Sequence, residues 1–441
     1  MKRLFLLPML ALTISVQAVA EDHVMAATKG TTRTNAPESL TLSIDEAQDY
    51  AVKANRSLRN AELAVQQAYA QRWQTIAAML PQVDASWGFN SMCGYKMEMA
   101  GMTIDMPNYS TLGVTASVGI NGQAVVGAIL NNIAIDMQKI SLEQSEDNLR
   151  ANVKTSYASV LVLQEVVSLL DSSLTNVERL AEMTQRSVDV GAAEQTSADQ
   201  IVVRVNTLKN NINSNKRSIQ LGINTLKVLL DVPVETELTL SSTLDDMLSG
   251  DEVLRLLGQE FLIEKNLNYQ TLEKNVDLAK ANVHMAGWAY GPTVGVGYQY
   301  SNQHYYDDGG FRMTPPNAVS VTISMPLWSS GKRAAGVVEK KIALETARNT
   351  LAETSDNLAI QNEQLRYNLQ NAFETYLTEK ENMDVTQRVF QSTTNKYNYG
   401  AASNLELVNA SNDVISAQST YVQAVLTLVN AEVELDKFLN D

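Results

Sequence analysis

The sequence predicts a mostly α protein with a small β part, in which long antiparallel coiled-coil helices are joined to four short strands. Three observations carry that reading: heptad spacing over a stretch too long for a globular core, two blocks of period-two alternation, and a near-constant offset that repeats the whole series once. Between Gly331 and Leu439 the residues Leu344, Leu351, Leu358 and Leu365 recur every seven positions, and Leu369, Tyr376, Met383 and Phe390 continue the repeat out of step. That is an a/d seam. After Tyr399, Gly400 and Ala401 a second arm carries Val408, Ile415, Val422 and Val429 in one register and Leu407, Val414, Tyr421, Leu428 and Leu435 in the adjacent one. No proline interrupts either arm. At ~1.5 Å per residue the first arm is roughly 100 Å long.

In chain order, Met1, Lys2 and Arg3 precede an apolar run and Ala18-Val19-Ala20, so residues 1–20 read as a secretory signal peptide. Residues 21–39 are polar and read as a flexible leader. A first structural repeat is expected over 40–233. It opens with a capping box, Ser43 with Glu46 three residues on, is interrupted at Asn55, and is stopped by Pro81. Strands are expected over about 82–90 and 110–121, because apolar residues alternate with Gly, Ser, Thr and Asn there. A helical hairpin follows, turning at Gly191. Residues 234–250 read as a linker. The second repeat, 251–441, has its interruption at Asn266, its stop at Pro292, strands over about 293–301 and 318–327, and a hairpin turning at Gly400. Asn55 to Asn266 and Pro81 to Pro292 are each 211 positions apart, and Gly191 to Gly400 is 209.

Composition removes several function classes. The formal net charge of −15 argues against nucleic acid as a partner. Cys93 is the only cysteine, so there is no disulfide framework, and none follows the signal peptide for lipid attachment. After the signal peptide no run approaches the ~20 consecutive apolar residues of a membrane helix, whereas strands of ~9 to 11 residues can cross a bilayer in a barrel. His23, His284 and His304 are scattered, and neither a serine–histidine–acid set nor a phosphate loop occurs. The sequence therefore offers catalysis no residues and implies neither a cofactor nor a metal. Met92, Cys93, Met97, Met99, Met102 and Met106 crowd the segment between the first two strands. Such sulfur ligands suit Cu(I), but the segment is read as a flexible loop.

Leu40 to Glu46 with Asn55-Arg56-Ser57-Leu58, Leu80-Pro81, Met325-Pro326-Leu327-Trp328-Ser329-Ser330-Gly331, and Tyr397-Asn398-Tyr399-Gly400 before Leu405-Glu406-Leu407-Val408-Asn409-Ala410 together resemble the TolC family of outer-membrane efflux proteins. The resemblance implies a homotrimer in which each chain donates four strands to one twelve-stranded transmembrane β-barrel in outer-membrane lipid. Below the barrel, twelve helices would form a periplasmic tunnel. It implies as partners a periplasmic adaptor protein and an inner-membrane transporter. Physics reaches part of this alone: four strands cannot close a barrel, eight give an interior that side chains fill, and twelve from three chains give the first open lumen.

On that resemblance Trp87, Val114, Val296, Tyr298 and Val321 are expected to face lipid. Tyr95, Tyr109, Tyr300, Tyr305 and Tyr306 are expected at the outer interface. The tips, Val190, Gly191 and Ala192 with Tyr399, Gly400 and Ala401, are expected to meet the adaptor. Glu406, Asn409 and Asp413 lie on one helical stripe and are the expected periplasmic constriction. The family's second acid corresponds to Asn409, and its locking arginine corresponds to Ala402. The expected function is an exit duct for efflux of small molecules. Type I protein secretion and a secreted structural coiled coil are the alternatives.

Overall fold

The computed structural model describes residues 39–99, 102–191, 193–248, 250–306 and 315–440. The expected signal peptide, residues 21–38 of the leader and Ala192 lie outside them. The chain divides into two units. The first holds the described residues up to Leu63 together with Ser141–Gln270 and those from Thr354 onward. The second holds Ala64–Ile140 and Thr271–Glu353.

Strand β1 (Ser39–Leu42) leads into helix α1 (Ile44–Ala54) through a reciprocal cap. The Ser43 N–H donates to Glu46 Oε2 at 2.8 Å, and the Glu46 N–H donates to Ser43 Oγ at 3.3 Å. Asn55 ends that helix and starts α2 (Arg56–Ala77). Its Oδ1 accepts from the Ser57 and Leu58 N–H groups, and its Nδ2 donates to Leu229 O at 2.9 Å. Asn266 does the same for its own helix, accepting from the N–H groups of Asn268 and Tyr269. Both interruptions are thus N-caps, 211 positions apart in the sequence.

The long helices are α3 (Gly122–Asp189), α4 (Gln195–Leu229), α8 (Lys332–Asn398) and α9 (Asn404–Asn440). Between α4 and α8 come β6 (Glu237–Leu240), the short helices α5 (Leu244–Met247) and α6 (Gly250–Gly258), and α7 (Leu267–Gly287). The expected linker over 234–250 is therefore structured: β6 pairs in parallel with β1, Leu40 beside Leu238 and Leu42 beside Leu240. Tyr157, fully buried, locks this pair in place. Its hydroxyl donates to Leu42 O at 2.9 Å and accepts from the Ser242 N–H at 3.0 Å.

Three apolar cores hold the first unit. One gathers Val153, Tyr157, Val160, Leu226 and Leu230 beneath α1. A second joins Leu369 and Tyr376 to Val425, Leu428 and Leu435. A third brings Leu170, Val177 and Leu180 of α3 against Ile201 and Leu208 of α4, Phe390 of α8, and Leu407 and Val414 of α9. Of the two apolar registers on α9, that of Leu407, Val414, Tyr421, Leu428 and Leu435 is buried throughout, whereas Val408, Ile415 and Val422 are half-buried. One stretch of α3 is apolar and long enough to cross a membrane. Its residues Val160, Leu161 and Val162 are buried against neighbouring helices.

In the second unit β2 (Gln82–Asn90), β5 (Tyr109–Asn121), β7 (Thr293–Tyr305) and β8 (Asn317–Ser324) form one antiparallel sheet in the order β2-β5-β7-β8. The central pair joins β5 to β7, where Val118 faces Val296 and Ala116 faces Tyr298. Two lengths differ from expectation. β7 continues to Tyr305, and β8 stops at Ser324 because Pro326 lies just beyond and cannot donate to a ladder. The methionine-rich segment is not a loop: β3 (Lys96–Met99) and β4 (Met102–Asp105) pair antiparallel.

Candidate functional site

Cross-strand pairing sorts the four-stranded sheet into two chemically distinct faces. Side chains alternate along a strand and directly opposed residues share a face. Trp87 opposes Leu112, Ala85 opposes Val114, and Val83 opposes Ala116. Val114 then opposes Tyr300, Val118 opposes Val296, and Ile120 opposes Val294. Val296 opposes Val321 and Tyr298 opposes Val319. Trp87, Val114, Val296, Tyr298 and Val321 therefore lie on one continuous apolar face, and much of it is open: Trp87 is 69% and Val321 65% exposed. The opposite face carries Ser86, Gly113, Thr115, Ser117, Gly297, Gln299, Ser320 and Thr322.

The aromatic residues divide between those faces. Phe89 stacks edge-on with Tyr306 at 5.7 Å, and His304 with Tyr306 at 5.0 Å. Tyr109 and Tyr305 oppose each other in the ladder, with ring centroids 5.7 Å apart. Their register puts this pair on the polar face. Tyr300 lies inside β7, paired with Val114, and not at a strand end. The sequence reading missed a second aromatic set at the other ends of the strands: Trp288 and Tyr290 just before β7, and Trp328 just after β8, all exposed. Arg333 covers Tyr290, its guanidinium carbon 4.8 Å from the ring centroid, and its Nη1 donates to Pro326 O at 2.6 Å. Aromatic residues just outside both ends of amphipathic strands are the signal that could have found it.

The helical hairpin tips share one backbone device. Gly191 and Gly400 have φ of +75° and +72°, the left-handed conformation that ends a helix at little cost only for glycine. At the second tip the Ala401 N–H donates to Lys396 O at 2.8 Å and the Gly400 N–H to Tyr397 O at 2.9 Å. Apolar side chains stand open there: Val190 is 79% and Tyr399 89% exposed, Ala401 is exposed, and so is Leu405, which the sequence reading placed in the family motif but not at the tip.

Glu406, Asn409 and Asp413 are all exposed, on the side of α9 away from buried Leu407, Ala410 and Val414. Glu406 also has a local task. Its Oε2 accepts from the Ser403 N–H at 2.7 Å and from the Ser403 hydroxyl at 3.0 Å, while its own N–H donates to Ser403 Oγ at 3.2 Å. This is a second capping box, with the S-x-x-E spacing of Ser43 and Glu46. The backbone bond from Ser403, and then its hydroxyl, hold the Glu406 carboxyl below the ordinary range. The side chain is therefore ionised at neutral pH.

The family model described as outer membrane efflux protein matches residues 49–231 and 261–441. The antibiotic efflux pump outer membrane protein ArpC of Pseudomonas putida is 25% identical over 408 residues, covering 87% of this chain and 80% of that protein. Among solved structures, a membrane protein from Pseudomonas aeruginosa superposes with a TM-score of 0.74 at 14% identity, over 90% of each chain. The outer membrane protein VceC of Vibrio cholerae gives 0.72 at 15% identity, over 90% of this chain and 96% of its own. Both share the fold.

Proposed function

The chain belongs to the outer membrane efflux protein family, and from that premise we propose that three copies close one twelve-stranded barrel and act as the exit duct of a tripartite pump. The protein is an outer-membrane efflux channel with its helical part in the periplasm. The trimer, its partners and the roles of single residues are our reading. The observation that supports it most is the sheet with one apolar face, one polar face and two outer edges, β2 and β8, that find no strand among the described residues. In lipid every backbone N–H and C=O must be satisfied, so such edges have to be closed by further strands. A cyclic trimer closes them all with one repeated contact.

On this reading Trp87, Val114, Val296, Tyr298 and Val321 face lipid, and the Gly, Ser and Thr face lines the duct. The open tips, Val190 and Gly191 with Tyr399, Gly400 and Ala401, dock a periplasmic adaptor that links the duct to an inner-membrane transporter. Ala192, outside the described residues, is assigned to the same surface. Glu406, Asn409 and Asp413 line the periplasmic constriction. Three ionised Glu406 carboxylates around one axis would meet their mutual repulsion by holding a cation. The cargo is assigned to small molecules, of which antibiotics, the cargo in the ArpC name of that relative, are one kind.

Fractionation and native-state crosslinking test the assembly. The mature chain should sediment with the outer membrane and run as a trimer in detergent. A soluble periplasmic monomer would overturn the reading.

A further inference from the structure

The end of the four-stranded sheet from which the long helices leave carries cations and no acid. β2 begins there at Gln82, β5 ends at Asn121, β7 begins at Thr293 and β8 ends at Ser324, and Thr293 opposes both Asn121 and Ser324. Residues 78–83, 118–135, 288–293 and 325–338 flank that end. In a chain of net charge −15 they contain two charged residues, Lys332 and Arg333. Both stand in the first turn of α8, where the helix dipole disfavours a cation, so the needs of the helix do not account for them. We propose that this cationic corner binds the phosphate of an anionic phospholipid headgroup in the periplasmic leaflet of the outer membrane, one lipid per chain.

Arg333 is held in place for such a ligand. Its Nε donates to Ser329 Oγ at 3.0 Å, its Nη1 donates to Pro326 O at 2.6 Å, and its guanidinium carbon lies 4.8 Å from the centre of the Tyr290 ring. The Nη2 group finds no acceptor among the described residues. Farther along α8, Lys340 pairs with Glu339 and Arg348 with Glu345, whereas Lys332 and Arg333 have no ion-pair partner among the described residues. A fixed guanidinium with one edge open suits phosphate, which arginine contacts through parallel N–H groups. The corresponding turn of the first repeat, Ile120 to Val125, holds no cation, so a trimer would carry three such sites and not six.

The surface around this corner is apolar. Val319, Val321 and Ile323 form the open apolar register of β8, and the same alternation runs on into Met325 and Leu327, the latter 87% exposed. Trp328 is 86% exposed, and Trp288 is half exposed with its indole against Gly122, where a Cβ would fall 2.0 Å from the ring. Tryptophan, tyrosine and a nearby cation together mark the headgroup level of a bilayer. Acyl chains that cover the sheet would bring their headgroups beside Arg333, and it is this continuity with the apolar face that selects a lipid over a soluble anion. The inference rests on the barrel reading and adds to it a charge-selective contact with lipid.

The test is native mass spectrometry of the full-length protein from detergent micelles that hold equal amounts of phosphatidylglycerol and phosphatidylcholine with the same acyl chains. The parent should retain phosphatidylglycerol, one per chain, with a preference of about fivefold or more, the factor that a single cation at a membrane surface supplies. High salt should reduce that preference. Lys332→Gln combined with Arg333→Gln should bring it to parity while the heat-modified gel mobility of the assembly stays unchanged. If that double variant does not assemble, Arg333→Lys decides, since it keeps the charge but loses the fork and should lower the preference. Arg217→Gln, at an exposed cation of α4, should leave it as in the parent. Equal retention of the two lipids by the parent, a preference that Arg333→Lys or the double variant leaves intact, or one that Arg217→Gln removes as well, would overturn the proposal. Displacement of the lipid by glycerol 3-phosphate would overturn it in favour of a soluble anion. A parent that assembles in the outer membrane yet shows no preference sinks this inference alone, whereas a soluble monomer sinks the barrel reading with it.

Discussion

Among the described residues Glu432 is the most deeply buried carboxylate near a charged partner, 2.8 Å from Lys154 Nζ with only 4% of its side chain exposed. Burial pushes its pKa up, against the pull of Lys154, and Glu252 and Asp436 push the same way. A carboxyl with a raised folded-state pKa adds stability when protonated and loses that contribution as pH rises through the folded value. Lys154→Met should therefore be costly at pH 7, about 3 kcal/mol, because it strands the buried charge. Glu432→Gln, which leaves Lys154 partly in water, should cost less. Melting followed by far-UV circular dichroism in detergent checks the order, and the gap should narrow toward pH 5. Glu406 has the opposite sign: its lowered pKa means that the Ser403 cap is at full strength above the ordinary carboxylate range and fades as pH falls below it. Glu406→Gln keeps a capping side chain but removes the charge. Single-channel recordings of that variant should show weaker block by divalent cations and lower cation selectivity at low salt, with Glu339→Gln as the unaffected control. Unchanged conductance would leave Glu406 with the cap alone.

At the scale of the element, the sheet makes a sharp contrast between neighbouring positions. Val321 and Ser320 are adjacent in β8 yet lie on opposite faces, opposed by Val296 and Gly297. Val321→Arg should lose membrane assembly, at about 2–4 kcal/mol for a charge at the bilayer midplane, whereas Ser320→Arg should assemble and shift ion selectivity. Heat-modified gel mobility and bilayer conductance read the two outcomes. The fold class was legible because strand and helix periods differ and each was sustained: Val83 to Phe89 alternates, and Leu344 to Leu365 recurs in sevens. Shorter elements were not. Strands β1 and β6 both contain Leu-Thr-Leu, a match that could have paired them, but four residues carry too little periodicity to stand out against the capping box beside them. The β3–β4 hairpin was hidden for a related reason, since four residues a side carry too little periodicity and only the ladder reveals their pairing. Ser403 with Glu406 repeats the spacing of Ser43 with Glu46, so that cap could have been read directly. Which α9 register is buried could not, because both are apolar and the choice between Leu407 and Val408 depends on how α3 and α4 pack.

For the whole molecule, the two helical hairpins end in the same glycine-terminated tips with apolar side chains left open. If those tips hold an adaptor, Ala401→Trp should abolish drug resistance and site-specific crosslinking to the adaptor while the trimer stays in the outer membrane. Normal crosslinking with full resistance would reduce the tips to helix terminators. The open edges of the four-stranded sheet carry this further. On the trimeric reading a lone chain has no state that lipid tolerates, so chains must combine before they insert, and every finished duct samples the pool of chains three times. A cell making equal amounts of parent and tip-blocked chain would hold only about one duct in eight free of a blocked subunit, if chains mix at random in a cyclic trimer. A chain damaged at its tip but intact in its strands should therefore behave as a dominant allele, whereas one damaged in its strands never joins the pool and should be recessive.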